Sequence, residues 1–204
     1  MRNMLSVCLL ALFTLSSHGN AAPGRASDSS STGAMVASAT IIIDGTSTLH
    51  DYRVTTGVIA VDARLAQDAA SLLGQGALES FDVKIPVNSF TSEKDGLKKH
   101  FLKALRADAH PFIEFKLQSY TLDPPASGIA RGRVTGVLTV AGVQRPIDLV
   151  LDAQETAGGV RVHGSHSLLM TQFGIQPPSL MLGMLKTADQ VKVTFDLELS
   201  TKGS

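Results

Sequence analysis

The distribution of apolar and polar positions predicts a protein built almost entirely of β-strands. In most segments apolar side chains alternate with polar ones, which is the period of a strand with one buried face. The alternation is cleanest from Val191 to Leu199. About eight such segments follow one another without regular helices between them, which indicates an antiparallel sheet. Such strands close as a barrel that holds one small ligand or stack as a sandwich, and periodicity alone does not separate the two.

Two stretches depart from this pattern and are predicted to be helical. In the first, about residues 94–107, apolar residues recur at intervals of three and four, and Pro111 closes the helix before a new strand begins at Phe112. The second, about residues 178–185, is a short apolar run with prolines at its start. Both stretches are candidates to plug or gate the mouth of a barrel, and the alternative is that they only cap the core.

The chain divides into three parts. Residues 1–21 combine an early arginine, an apolar core and small residues before the predicted cleavage after Ala21, as in a secretory signal peptide. Residues 22–37 are rich in Ala, Gly, Ser and Thr and predict a flexible linker. Residues 38–202 contain the predicted strands and form the folded domain. We therefore expect a periplasmic or secreted protein without a transmembrane segment in its mature chain.

Charge and cysteine content narrow the functional classes. Lysine plus arginine and aspartate plus glutamate number 18 each, so no basic excess points to nucleic acid. The single cysteine, Cys8, falls in the signal segment, so the mature domain has neither a disulfide nor a cysteine metal site. The sequence leaves open whether the protein works as a monomer or a homodimer.

Five short motifs, in order along residues 38–201, resemble the YceI-like family of exported bacterial proteins. They are Ile43-Asp44 followed by Ser47 to Asp51, Lys94-Asp95, His110 to Phe115, Gly136 to Val143 with Pro146, and Phe173-Gly174-Ile175. The resemblance implies an eight-stranded antiparallel barrel, lipocalin-like in shape, with an apolar tunnel. It also implies a non-catalytic protein that binds an amphiphilic lipid such as an isoprenoid quinone or a polyprenyl lipid, with no other cofactor.

The sequence departs from the family at two points. The Phe-x-Val-x-His run of many relatives is missing from the opening motif, and Met170-Thr171-Gln172 stands where relatives often have an arginine. A cation that would neutralise a phosphate is therefore missing there, which leaves the head group of the ligand open.

The predicted lipid-binding residues are apolar members of the alternating strands, one residue of the predicted helix at 94–107 and two methionines of the apolar run at 178–185. They are Phe81, Val83, Ile85, Phe101, Ile113, Phe115, Leu117, Ile147, Leu149, Met181, Met184, Val193, Phe195 and Leu197. Without the resemblance, the same residues would be expected to fill an ordinary core. The rival hypothesis is accordingly a β-sandwich interaction module with a filled core that binds another cell-envelope protein.

Polar candidates give no support for catalysis. His163 and His166 are three residues apart, which places them on opposite faces of a strand and makes them a poor metal pair. His50, His100 and His110 are likewise expected at the surface or in turns. No nucleophile elbow, HExxH motif or glycine-rich phosphate loop occurs.

The predicted helix carries a basic face. Its members are Lys98, Lys99, Lys103 and Arg106. We interpret it as a solvated face, with contact to an anionic lipid head or a membrane surface as the alternative.

Overall fold

Strands make up most of the computed structural model, which describes residues 34–48, 50–66, 73–74, 76–94, 96–180 and 185–201. The strands are β1 (Ala34–Ser47), β2 (Tyr52–Thr56), β3 (Ala60–Leu65), β4 (Leu78–Pro86), β5 (Phe112–Leu122), β6 (Ile129–Val140), β7 (Val143–Thr156), β8 (Gly159–Leu169), β9 (Ser179–Leu180) and β10 (Leu185–Thr201). Within these residues there is one helix, α1 (Leu97–Ala104), and there are two 3₁₀ turns, Val87–Ser89 and Met170–Phe173.

The strands form one curled antiparallel sheet in the order β2-β1-β10-β8-β7-β6-β5-β4-β3, with β9 paired to β10. Its two outer strands, β2 and β3, are consecutive in the chain and only residues 57–59 separate them. Strand β1 pairs with β2 and also lies against β3. The predicted antiparallel barrel-like sheet is therefore confirmed, but it has ten strands in the described residues instead of the predicted eight, since β2 and β3 divide one edge of the sheet and β9 is a short addition.

Helix α1 covers one end of this barrel, which we call the helix end. The helix is shorter than predicted. It begins after Gly96, whose φ of 79° is left-handed, and it ends at Ala104. Its end is set by Arg106, which has a φ of 52°, and not by Pro111. The guanidinium of Arg106 donates a hydrogen bond to the carbonyl oxygen of Ala141 in the β6–β7 turn, which holds the chain in place after the helix.

A buried apolar cluster lies beneath α1 at the helix end. Its residues come from the 3₁₀ turns, the end of the helix, the β6–β7 turn and the inward faces of several strands, and Phe90 and Phe173 are its largest side chains. Helix α1 places Leu97, Phe101 and Leu102 against this cluster. The prediction that the apolar face of this amphipathic helix packs against the barrel is therefore confirmed.

Two predicted boundaries differ from the structure. Strand β1 begins at Ala34, four residues before the predicted start of the domain, because residues 34–36 pair with the end of β10. The predicted helix over residues 178–185 is wrong, because β9 pairs with the start of β10 through Leu180 and Leu185. The backbone groups on either side of the Met-rich run thus belong to strands. The run itself, residues 181–184, lies outside the described residues, as do the predicted signal peptide and most of the linker.

An apolar cavity inside the curled sheet

The inward face of the sheet encloses a cavity of about 300 Å³. Every described residue of the predicted lipid-binding set lines it. These are Phe81, Val83, Ile85, Phe101, Ile113, Phe115, Leu117, Ile147, Leu149, Val193, Phe195 and Leu197. Met181 and Met184 lie outside the described residues. Strand alternation places eleven of these side chains on one face, and helix α1 brings Phe101 to them, whereas their contact with a lipid stays a prediction.

Polar atoms are scarce in the lining. Among the described residues, only Tyr52, Tyr120 and His166 bring a polar side chain to the cavity. The Tyr120 hydroxyl accepts a hydrogen bond from the Leu78 N–H (3.0 Å) and donates one to the Gly74 carbonyl (3.2 Å). Tyr52 is half-buried, and burial raises the pKa of its phenol, so it is neutral at physiological pH. The cavity therefore offers an apolar wall with few hydrogen-bonding groups.

Inward-facing glycines explain why large side chains leave this space open. The ring of Phe115 lies over Gly136, where a β-carbon would come within 2.4 Å of the ring. Phe195 covers Gly164 in the same way, at 2.5 Å. Each aromatic ring thus lies along the wall over a neighbouring strand instead of standing up into the centre. An interior in which such rings lie over inward-facing glycines is consequently less filled than its apolar content suggests.

The Tyr52 and Gly45 pair extends this arrangement to the helix end. A β-carbon on Gly45 would lie 2.2 Å from the ring and hydroxyl of Tyr52, so the phenol lies across its partner on β1. Nearby, Phe90 and Phe101 contact each other with their ring centroids 5.0 Å apart. The helix end is therefore closed by aromatic side chains from α1, β2 and the segment after β4.

The basic residues of α1 point away from the cavity. Lys98, Lys99 and Lys103 are exposed, and Arg106 is directed to the Ala141 carbonyl. None of the three lysines forms an ion pair within the described part of the chain. The predicted solvated face is confirmed as exposed, and its contact with a lipid head stays a prediction.

One histidine differs from its predicted place. His163 is exposed and lies 3.6 Å from the Asp196 carboxylate, whereas His166 lines the cavity. The opposite faces of the two residues were predicted, but the expectation that all histidines lie at the surface or in turns is wrong for His166. His166 is separated from the inward Val162 and Leu168 by an even number of positions along β8, so strand alternation places it on the same face. This signal was available in the sequence.

Several other lining residues went unrecognised in the sequence. They belong to β1, β6 and β8 and to the turns at the helix end: Ile41, Ile43, Phe90, Leu105, Val134, Leu138, Val160, Val162, Phe173 and Ile175. Those on strands share the alternation used for the neighbouring strands. Those in turns depend on tertiary packing and carry no periodic signal.

A second, open groove of about 990 Å³ lies outside the sheet. Charged side chains of both signs line it, among them the ion pair of Arg53 and Asp44, which has distances of 2.6 and 3.0 Å. This pairing raises the pKa of Arg53 further and leaves both groups partnered.

The described residues contain no cluster of three or more potential metal ligands. Nor do they form a helix long and apolar enough to cross a membrane.

Comparisons with known proteins agree on the fold. A family model described as YceI-like domain matches residues 28–199. A polyisoprenoid-binding domain from Saccharophagus degradans, implicated in plant cell wall breakdown, is 13% identical over 84% of this chain and 99% of its own, with a TM-score of 0.63. BcnA of Burkholderia cenocepacia is 14% identical over 80% and 96% of the two chains, with a TM-score of 0.61.

A YceI protein of Campylobacter jejuni is 16% identical over 74% of this chain and 85% of its own, with a TM-score of 0.55. No match is found among curated proteins. At these identities the structural neighbours establish the fold alone. The family match covers most of the chain, and together with the curled sheet around an apolar cavity it shows that this protein belongs to the YceI-like family.

Proposed function

We propose that the protein is an exported, non-catalytic carrier that holds the chain of an isoprenoid or similar amphiphilic lipid in the cavity of the barrel. The observation that carries this proposal is the cavity itself: about 300 Å³ of space whose described lining has polar side chains at only three positions. Such a wall suits a hydrocarbon and has no means of holding a strongly hydrated solute. One solved neighbour is named as a polyisoprenoid-binding domain, which is consistent with this class of ligand.

The free energy of binding is sufficient without a polar anchor. Each buried methylene contributes about 0.8 kcal/mol, so two isoprene units contribute about 8 kcal/mol. Association costs at least about 4 kcal/mol, and further contacts or chain length offset part of this. Two units therefore leave about 4 kcal/mol, a Kd of about 1 mM, and about three units in contact with apolar protein give micromolar affinity. Transport between membranes, storage and protection from stress are all served by such a complex.

Native mass spectrometry of the protein purified from a bacterial periplasm tests the proposal. We expect a stoichiometric adduct that solvent extraction identifies as a prenyl lipid, and loss of residues 1–21 in the intact mass. The denatured mass of the same sample is the control, since it separates a bound lipid from a covalent modification. A protein that is free of adduct, and stays so after incubation with farnesol, would refute lipid binding.

The rival function, surface binding of another envelope protein, rests on a filled core. The aromatic rings that lie over inward glycines leave a cavity, and this favours the lipid carrier over a module with a filled core. Catalysis has no described constellation to support it, since the carboxylates and histidines near one another, such as Asp196 and His163, lie on the outer surface and pair with Arg161.

A further inference from the structure

The ladder between β7 and β8 is incomplete. It pairs Leu151 with Gly164 and continues only to Thr156 and Gly159. Beyond it, β8 from Ser165 to Leu169 pairs with β10 alone, and β7 from Val143 to Val150 pairs with β6 alone. The other neighbours of these two strands form ladders of ten and twelve residue pairs, so this seam is the open side of both strands. The β4–β5 ladder also stops early, after five pairs, but there the Tyr120 hydroxyl on β5 bonds to the Leu78 N–H and the Gly74 carbonyl.

We call the unpaired stretch between 143–150 and 165–169 the β7–β8 slit. Five residues of β8 border it, which gives a length of about 17 Å at about 3.4 Å per residue. Alternate backbone N–H and C=O groups on both edges lack a strand partner across it. On the outside, beside the last ladder pair, Val150 is 50% exposed.

The slit has two fixed ends. At one end is the last pair of the ladder, Leu151 and Gly164. At the other, the 3₁₀ turn Met170–Phe173 crosses between the strands: Arg145 Nε on β7 donates to the Gln172 carbonyl at 2.8 Å. The same turn is held from β10, because Asp189 accepts a hydrogen bond from the Thr171 N–H at 2.8 Å. The opening is therefore a bounded window and not a frayed strand end.

The cavity lining continues directly to this window. Leu149 and His166 are the first inward residues beyond the ladder on β7 and β8, and both line the cavity. Of the three polar side chains in the described lining, the two tyrosines are away from the window. Tyr120 bonds to two backbone groups, and Tyr52 lies across Gly45. Among the described residues, only His166 has a polar side chain that both lines the cavity and lies at the window.

We propose that the β7–β8 slit is the entrance of the cavity and that His166 binds the oxygen-bearing head of the lipid there. This inference rests on the proposed function and specifies the orientation of the ligand. The apolar chain enters sideways between the two strands. Its terminal hydroxyl, carbonyl or phosphate oxygen stays at the window, within reach of the imidazole and of the free backbone groups at the edges.

Closing the slit tests the entrance. In a Cys8→Ser background, Val150→Cys with Ser165→Cys places two outward thiols on either side of the window, and a short bismaleimide links them. The matched control, Ser165→Cys with Thr194→Cys, links the same β8 residue across an intact ladder to its partner on β10. We expect the rate of farnesol uptake to fall at least tenfold with the first link and to be unchanged with the second. Equal rates in both would overturn the proposed entrance.

Replacing His166 tests the head position. His166→Leu should weaken farnesol binding roughly fivefold, the effect of one lost hydrogen bond. It should leave unchanged the binding of 2,6,10-trimethyldodeca-2,6,10-triene, which is the same unsaturated chain without oxygen. His166→Gln should restore part of the loss. If both ligands weaken equally, His166 is only part of the apolar wall and the head lies elsewhere. Absence of binding of either ligand by the unmodified protein would instead refute the proposed function.

Discussion

The size of the cavity makes a quantitative prediction about the substitution Val193→Trp. Val193 lies on the inward face of β10 and lines the cavity, whereas its neighbour Lys192 is exposed on the outward face. At about 30 Å³ per methylene-sized group, the share of liquid volume that one water molecule takes, the cavity of about 300 Å³ holds about ten such groups. This corresponds to about two isoprene units.

Trp has about seven more non-hydrogen side-chain atoms than Val, so Val193→Trp should occupy much of this space. If it displaces only three methylene groups of the ligand, the loss is about 2.4 kcal/mol, or a roughly fiftyfold higher Kd. The expected result is therefore a strong loss of prenyl alcohol binding. Lys192→Trp adds a comparable ring outside the barrel and should bind as the wild type does.

Isothermal titration calorimetry with geraniol, farnesol and geranylgeraniol, which differ by one isoprene unit each, measures the Kd of the wild type and of both Trp variants. For the wild type we expect affinity to rise steeply until the cavity is full and then to level off, since further units must lie at the window or in solvent. Val193→Trp should shift this plateau to shorter chains. An unchanged Kd in a Val193→Trp protein that melts like the wild type would refute the argument, because the cavity would then not be the binding site.

Three further predictions concern stability. Phe173→Ala should lower the free energy of unfolding by about 3–5 kcal/mol in a urea titration, because the side chain is 2% exposed in the cluster under α1. Gly136→Ala should cost about 1–3 kcal/mol, because its β-carbon would lie 2.6 Å from a backbone oxygen as well as against a phenyl ring, whereas Gly158→Ala should be neutral. The hydrogen bond and charge of Arg161 lower the pKa of Asp196, so this pair should stabilise the fold above the unfolded pKa of the carboxyl and lose its contribution as pH falls through the lower folded value.

Each of these has an outcome that would count against it. An equal urea midpoint for Phe173→Ala would mean that the helix end collapses without cost. Equal stability of the two glycine variants would show that the ring and backbone over Gly136 yield freely. For the ion pair, Arg161→Ala should flatten the acid limb of the stability curve, and an unchanged limb would assign it to other carboxylates.

Strand alternation is sufficient to predict the inward face, since each of the eleven described strand residues of the predicted set lines the cavity. Alternation is a local property, and burial of one face imposes it on every strand. The run at 178–185 could not be assigned in this way, because a short apolar segment fits helix and strand equally well. Its flanking residues became strand through pairing of Leu180 with Leu185, a tertiary contact that local spacing does not encode.

The openness of the interior and the window in the wall were beyond local sequence patterns for different reasons. Gly136 and Gly164 stand in the sequence, but their effect depends on which ring lies opposite, and this requires the register of neighbouring strands. The β7–β8 slit depends on where a ladder stops. Both strands bordering it have ordinary alternation, so only the pairing distinguishes them. His166, in contrast, could have been placed in the lining from the alternation of β8 alone.

The pairing of β1 with β10 has a consequence for the order of events in folding. Their ladder joins Ala34 to Thr201 and runs to Ser47 and Thr187, so it connects the two most distant parts of the domain. Contacts of such high sequence separation form slowly and only after the intervening chain is available. The wall consequently stays unsealed until β10 has been synthesised, so closure of the sheet comes late in folding.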